Sequence, residues 1–152
     1  MHYPKFTYRD FIKKHDSDKL IKWLDNKGAN CIGAGASRYV YRISPTRVIK
    51  VEYDKYFGYS QNKEEVQKYN QHKNSNLITQ CYWYHPKYVW IISQFAEKVP
   101  LKKTYAWNKW CDKWAKKIEK ELDISDLAID NSGIINGNFV IVDYGLPCLE
   151  CA

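Results

Sequence analysis

LDISDLAIDNSGIINGNFVIVDYG, residues Leu122 to Gly145, is the stretch whose reading decides the fold. Its centre, Ile134 to Val142, is two β-rich runs joined by Asn136-Gly137. Asn-Gly suits a two-residue hairpin turn because both of its central positions take positive φ. With these two as the loop, Ile135 faces Asn138, and counting back sets Asn131 opposite Val142, next to Asp143. Asp126 lies five residues before Asn131, where the chain enters the hairpin. The hairpin thus carries Asp126, Asn131 and Asp143 to one open end, and converging oxygen ligands suit a hard cation such as Mg²⁺. A surface hairpin with solvated polar ends accounts for the same residues, so the rest of the chain has to decide.

The bulk properties narrow the choice. The 152 residues fit one domain, long enough to bury a core without a covalent staple. A hydrophobic content of 45% excludes a disordered chain, and thirteen Tyr with six Trp make it unusually aromatic. The net charge of +7 fits a polyanionic partner such as nucleotide phosphates, nucleic acid or an acidic protein. Five cysteines, an odd number, together with a polar and aromatic opening and no apolar run near ~18 residues, predict a reduced cytosolic protein that does not enter a membrane. Cys148 and Cys151 have metal-like spacing, but a zinc site needs about four ligands, and a frayed tail explains the pair better.

Around the opening stretch, the chain predicts elements in a definite order. Phe11–Lys27 reads as helical, with Asp16 or Ser17 capping a second helix from about Asp18 and Gly28 stopping it. Three antiparallel strands follow, around Cys31-Ile32, Tyr39–Ile43 and Arg47–Tyr53. The small-residue turn Gly33-Ala34-Gly35-Ala36-Ser37 joins the first two. Glycines at such a tip let backbone approach a ligand, and exposed N–H groups there can hold phosphate. Lys50 sits inside a strand of Val and Ile, where a charge is costly unless it snorkels or meets an anion. Asn62–His72 reads as a helix with Val66 and Tyr69 inward and Glu64 and Glu65 in its first turn. Leu77–Tyr84 and Tyr88–Phe95 predict two more strands, and Ala96–Lys103 a polar link. Tyr105–Leu122 is the clearest helix, with Trp107, Trp110, Cys111, Trp114, Ile118 and Leu122 on one stripe and its lysines off it. Tryptophans beside lysines can stack on and neutralise nucleic acid, but a buried-type stripe points to core packing, so nucleic acid is the less favoured partner.

In this order the pieces resemble a protein-kinase fold. Gly33 to Val40 resembles the Gly-rich loop over the ATP phosphates, with Arg38 where the third glycine would stand. Val48-Ile49-Lys50 resembles the third-strand segment whose lysine holds the α- and β-phosphates. Glu65, or alternatively Glu64, would be its ion-pair partner. Ser93–Glu97 resembles the hinge, so Gln94 and Ala96 would meet adenine. Asp126-Leu127-x-x-x-Asn131 has the spacing of the catalytic-loop Asp and metal-binding Asn, and Asp143-Tyr144-Gly145 resembles the metal-binding Asp-Phe-Gly. Similar spacing occurs in the aminoglycoside-phosphotransferase branch, and small kinase-like proteins of bacteriophages are the nearest type, which would place the protein in a bacterial host cytoplasm.

The resemblance implies an α+β fold in one minimal domain: a helical segment over residues 1–29, a five-stranded antiparallel lobe with one inserted helix over 30–97, and a truncated second lobe over 98–152. It implies ATP and Mg²⁺ as cofactors, with Gly33, Gly35, Ser37, Lys50, Glu65, Gln94 and Ala96 around the nucleotide. Asn131 and Asp143 would hold the metal, and Asp126 with Lys50 would serve catalysis. Two departures bear on activity. Ile124-Ser125 replaces the His-Arg before the catalytic Asp, and seven residues follow Gly145, too few for an activation loop and a large helical lobe. The expectations are therefore two: a phosphotransferase acting on Ser/Thr or another hydroxyl acceptor, or a catalytically inactive pseudokinase that binds a host or regulatory partner.

Overall fold

Alternation in the Arg38–Ser44 run sends its residues to opposite faces of a sheet. The computed structural model describes residues 3–55, 57–124 and 127–145. Five antiparallel strands form one sheet: β1 (Asn30–Ala34), β2 (Arg38–Ser44), β3 (Arg47–Glu52), β4 (Cys81–Tyr84) and β5 (Trp90–Gln94), in the order β1-β2-β3-β5-β4. With helices α1 (Tyr8–Ile12), α2 (Ser17–Asn26), α3 (Gln61–Gln71) and α4 (Thr104–Leu122), the chain is α+β.

One face of the sheet is largely apolar. Tyr41 lies opposite Ile49, Ile49 opposite Ile92, and Val51 opposite Trp90. Phe11, Leu20 and Leu24 from α1 and α2 cover this face and complete the cluster. Each large side chain so buried contributes roughly 1.5–3 kcal/mol relative to exposure. The helical stretch expected over Phe11–Lys27 is two helices. Asp16, in extended conformation, accepts the Lys19 N–H at 2.9 Å, and an N-cap of this kind ends any helix running into it. Gly28, at φ 77°, then turns the chain into β1.

The other face is different, because Lys50 sits on it beside Ile91 and Val48. Across it runs α3, capped by Ser60, whose hydroxyl accepts the Lys63 N–H at 3.2 Å. The buried side of α3 carries Gln61, Asn62 and Glu65 together with Val66. Tyr69, expected to point inward with Val66, is half-buried and packs against a second cluster instead.

That second cluster lies under the Asn-Gly hairpin. Strands β7 (Ser132–Ile135) and β8 (Asn138–Ile141) pair with Ile135 opposite Asn138, and Asn136 and Gly137 turn with φ of 50° and 81°. The Val142 N–H reaches the Asn131 carbonyl at 2.8 Å, so Asn131 and Asp143 adjoin at the open end. A third strand joins them. Residues Glu97-Lys98 of the expected link form β6, opposite Ile134 and Gly133. Gly133 makes this possible, since a Cβ there would stand 2.6 Å from the Ala96 Cβ.

The strand expected over Leu77–Tyr84 begins only at Cys81. Residues before it pair elsewhere: the Ile141 N–H donates to the Leu77 carbonyl at 2.8 Å, and the Thr79 N–H to the Ile141 carbonyl at 3.1 Å. This backbone seam ties the hairpin to the large sheet. Leu77, Ile78, Ile118, Leu122, Ile141 and Tyr144 fill the space between hairpin and α4. On the α4 stripe only Ile118 and Leu122 are fully buried, while Trp107, Trp110 and Trp114 are half-buried. The Trp107 indole N–H donates to the Ser132 hydroxyl at 3.0 Å, and the Lys113 and Lys117 ammoniums lie 5.3 and 5.4 Å from the Trp114 ring. Among the described residues, no helix is long and apolar enough to cross a membrane.

A histidine pair anchors the N-terminal helices to the turn between β4 and β5. The Lys87 N–H donates to His85 Nδ1 at 3.0 Å, so a neutral His85 carries its proton on Nε2, 2.8 Å from His15 Nδ1. A second proton on His85 would go to Nδ1 and face the Lys87 N–H that this nitrogen now accepts. Burial, with His15 and Lys87 nearby, holds His85 below its ordinary value of 6.5. Folded and unfolded chains are both neutral here at higher pH; as pH falls through the ordinary value the unfolded chain takes up the proton first and stability is lost. Urea midpoints at pH 7.5 and pH 5 should show this loss, and it should shrink in His85→Gln. An equal loss in that variant would put the effect elsewhere.

Candidate functional site

A lysine ammonium in the middle of a sheet must meet an anion or pay the full cost of leaving water. Lys50, 5% exposed, donates to Glu65 Oε2 at 2.8 Å and to the Val142 carbonyl at 2.6 Å, and lies 3.9 Å from Asp143 Oδ1. Three distant segments therefore meet at one nitrogen: β3, α3 and the end of the hairpin. Glu65 fills the partner position, and Glu64 does not. Its side chain is wholly buried.

A fourth group completes the cluster. Arg38 enters from the start of β2 and is 3% exposed. Its Nη2 donates to Glu65 Oε1 at 2.9 Å and to the Asp143 carboxylate, while Nη1 donates to Asn62 Oδ1 at 3.0 Å and more weakly to Glu65 Oε2 at 3.4 Å. Two cations and two carboxylates make the cluster neutral, which lets it exist out of water. Burial pushes the Asp143 carboxyl up, but the Arg38 and Lys50 charges outweigh it and hold the group below the usual carboxylate range. Burial likewise opposes the charge on Arg38, and Glu65 and Asp143 reverse that, raising it above its ordinary value.

The segment behind the cluster is tightly seated. The Tyr144 hydroxyl donates to the Thr79 carbonyl at 2.7 Å, and its ring is buried. Gly145 meets α3 so closely that a Cβ there would stand 2.3 Å from the Gln61 carbonyl oxygen and 2.9 Å from the Glu65 Cβ.

Other residues singled out by sequence make contacts within the protein. Gly33 pairs with Val40 inside β1, and the Gly35 N–H closes the turn by donating to the Arg38 carbonyl at 2.9 Å. Gly28, Gly58 and Gly137 are the described glycines with positive φ, so this tip does not use that freedom. Ser37, expected at the phosphates, is buried and donates its hydroxyl to Gln61 Oε1, because α3 offers an acceptor at that point. Gln94 turns to β4: its N–H donates to the Gln80 carbonyl at 2.8 Å and its Oε1 accepts the Gln80 N–H at 3.2 Å. Ala96 packs against Gly133. Asp126, with Ser125, lies outside the described residues, as do Cys148 and Cys151.

Asn131 and Asp143 are held side by side through backbone and supply hard oxygen donors of the kind Mg²⁺ takes, usually one or two carboxylates completed by phosphate and water. The donor chemistry fits the ion. Among the described residues no group of three or more His, Cys, Asp or Glu gathers as a metal site.

The residue that sequence reasoning passed over is Arg38, taken only as a departure from a glycine. Strand alternation already put it on the same face as Val40 and Lys50, and Asn62 and Glu65 share a helix face at i, i+3 spacing. Comparison with protein-family models finds no match, and comparison with curated proteins finds none.

Removing the carboxylate at the centre of this cluster is the direct check on its energetics. Glu65→Gln would leave Arg38 and Lys50 short of a buried counter-charge, and should lower stability by about 3–5 kcal/mol in urea unfolding. A loss below about 1 kcal/mol would mean that the cluster is dispensable to the fold.

Proposed function

We propose that the chain is a small kinase-like protein that binds ATP together with Mg²⁺. The observation that carries this reading is the meeting of Lys50, Glu65 and Asp143, with Lys50 2.8 Å from one carboxylate and 3.9 Å from the other. Phosphoryl transfer needs a cation on the phosphates, an acid that fixes that cation, and oxygen ligands for a metal. Lys50 would hold the α- and β-phosphates, Glu65 keeps its ammonium aimed, and Asp143 with Asn131 would hold Mg²⁺. Bound Mg²⁺ would supply neutralisation of phosphate charge. Gly33, Gly35 and the hinge around Gln94 and Ala96 would flank the nucleotide, and Asp126 would orient an acceptor hydroxyl of the Ser/Thr type.

A second reading keeps the kinase-like fold without transfer, as a pseudokinase that binds a host or regulatory protein. What favours it is specific. Arg38 already neutralises Asp143, and the Gly35 N–H and Ser37 hydroxyl are engaged within the protein.

Thermal unfolding with ATP, with and without Mg²⁺, tests the first reading, since a ligand bound only by the folded state stabilises it by about 2.7 kcal/mol at a hundredfold excess over Kd. The unaltered protein should gain stability with both present, and Lys50→Met should lose that gain, measured against the variant's own unfolding temperature without ligand. Absence of any gain at millimolar ATP would sink the nucleotide reading. Where a gain appears, transfer of labelled γ-phosphate that disappears in Asp126→Ala separates an enzyme from a pseudokinase.

A further inference from the structure

The contacts of Arg38 are unevenly divided. Asn62 and both oxygens of Glu65 hold the guanidinium to α3, on one rigid helix and fully buried. A single contact crosses to Asp143, whose side chain is 33% exposed, on the side of the cluster that solvent reaches. The guanidinium can therefore leave Asp143 and keep its hold on Glu65 and Asn62. Arg38 and Lys50 both approach Oδ1 of Asp143, so a cation arriving at this carboxylate meets a group already neutralised by Arg38 and faces Lys50 3.9 Å from the same oxygen.

We propose that Arg38 and a divalent cation compete for Asp143, so that Arg38 is the residue that makes cation binding depend on the nucleotide. This rests on the reading of Asp143 as a metal ligand. The charges give the reason. Arg38, Lys50, Glu65 and Asp143 sum to zero, so a divalent cation alone would leave the pocket at +2, with three cationic centres crowded together. A polyphosphate arriving with the cation supplies the missing negative charge and gives the displaced guanidinium an anion to face. The cation without nucleotide is disfavoured, and the pair together is not. A kinase-like site without this arginine would take up the metal more readily by itself.

Mn²⁺ serves as the probe, with free ion counted by electron paramagnetic resonance for the full chain and for Arg38→Met and Arg38→Lys, each with and without ATP. The unaltered protein should bind Mn²⁺ weakly without ATP and far more tightly with it. Arg38→Met should bind Mn²⁺ alone roughly tenfold tighter or more, the ordinary size of a coupling between two sites. Arg38→Lys, which keeps the charge, should stay near the unaltered protein. Equal Mn²⁺ affinity in Arg38→Met and the unaltered protein, with ATP-dependent binding intact in both, overturns the proposal and leaves the nucleotide reading standing. No Mn²⁺ binding in any form, with or without ATP, overturns both. A measurement without substitution covers the case in which Arg38→Met does not fold. The guanidinium resonances of Arg38 should shift once Mg²⁺ and ATP saturate the protein, because one of its partners changes from Asp143 to phosphate. Unchanged guanidinium resonances in the nucleotide-bound protein would count against displacement.

Discussion

A single buried carboxylate, Glu65, is the point where the sheet, α3 and the end of the hairpin meet. It receives Lys50 from β3 and Arg38 from β2, and the Tyr144 N–H approaches the same oxygen pair from the end of the hairpin. Each of those groups alone would be expensive to bury, and so would Glu65. Together they cancel, and the cancellation is geometric: it requires α3 to lie across the sheet and the hairpin to close against α3. Gly145, pressed onto the Gln61 carbonyl, has no room for a side chain because that closure is tight. The apolar clusters on either side supply most of the cohesion. The ion cluster decides how the two bodies are set against each other.

The same arrangement bears on what the protein can do. A cluster that balances itself is stable without a ligand, and it stores the groups a phosphate and a metal would need in a state already satisfied. Lys50 lies between two carboxylates, whereas Asp143 is answered by Arg38. On the proposed reading, nucleotide binding would have to replace internal partners with equally good external ones, which would favour a ligand carrying both negative phosphate and a cation. A protein in which no ligand achieves this would keep the closed arrangement and act through its surface.

The elements legible in the sequence were those set by local chemistry. Asn136-Gly137 demands its turn whatever surrounds it, and the hairpin register follows by counting, so Asn131 falls beside Asp143 as the spacing required. The sheet strands were readable from runs of Val, Ile and Tyr, while Glu65, with Glu64 as the alternative, came from the kinase resemblance. What could not be read depended on competition between partners. Leu77 and Thr79 belong by composition to a strand, yet Ile141 takes their backbone groups first. Ser37 had equal reason to face a phosphate or a neighbour, and Gln61 happens to stand within reach.

By itself, then, the amino-acid order determined the α+β class, the hairpin, and the adjacency of Asn131 and Asp143 at its open end, because those follow from dihedral preference and period. Only the tertiary structure decided the fate of Arg38. An arginine following a small-residue turn is ordinarily a surface residue; strand alternation sets its face but not its partners. Three acceptors brought by two remote segments, Asn62 and Glu65 from α3 and Asp143 from the hairpin, turn it inward. Long-range electrostatics of that kind has no period and no propensity, so it exists only once the chain has folded.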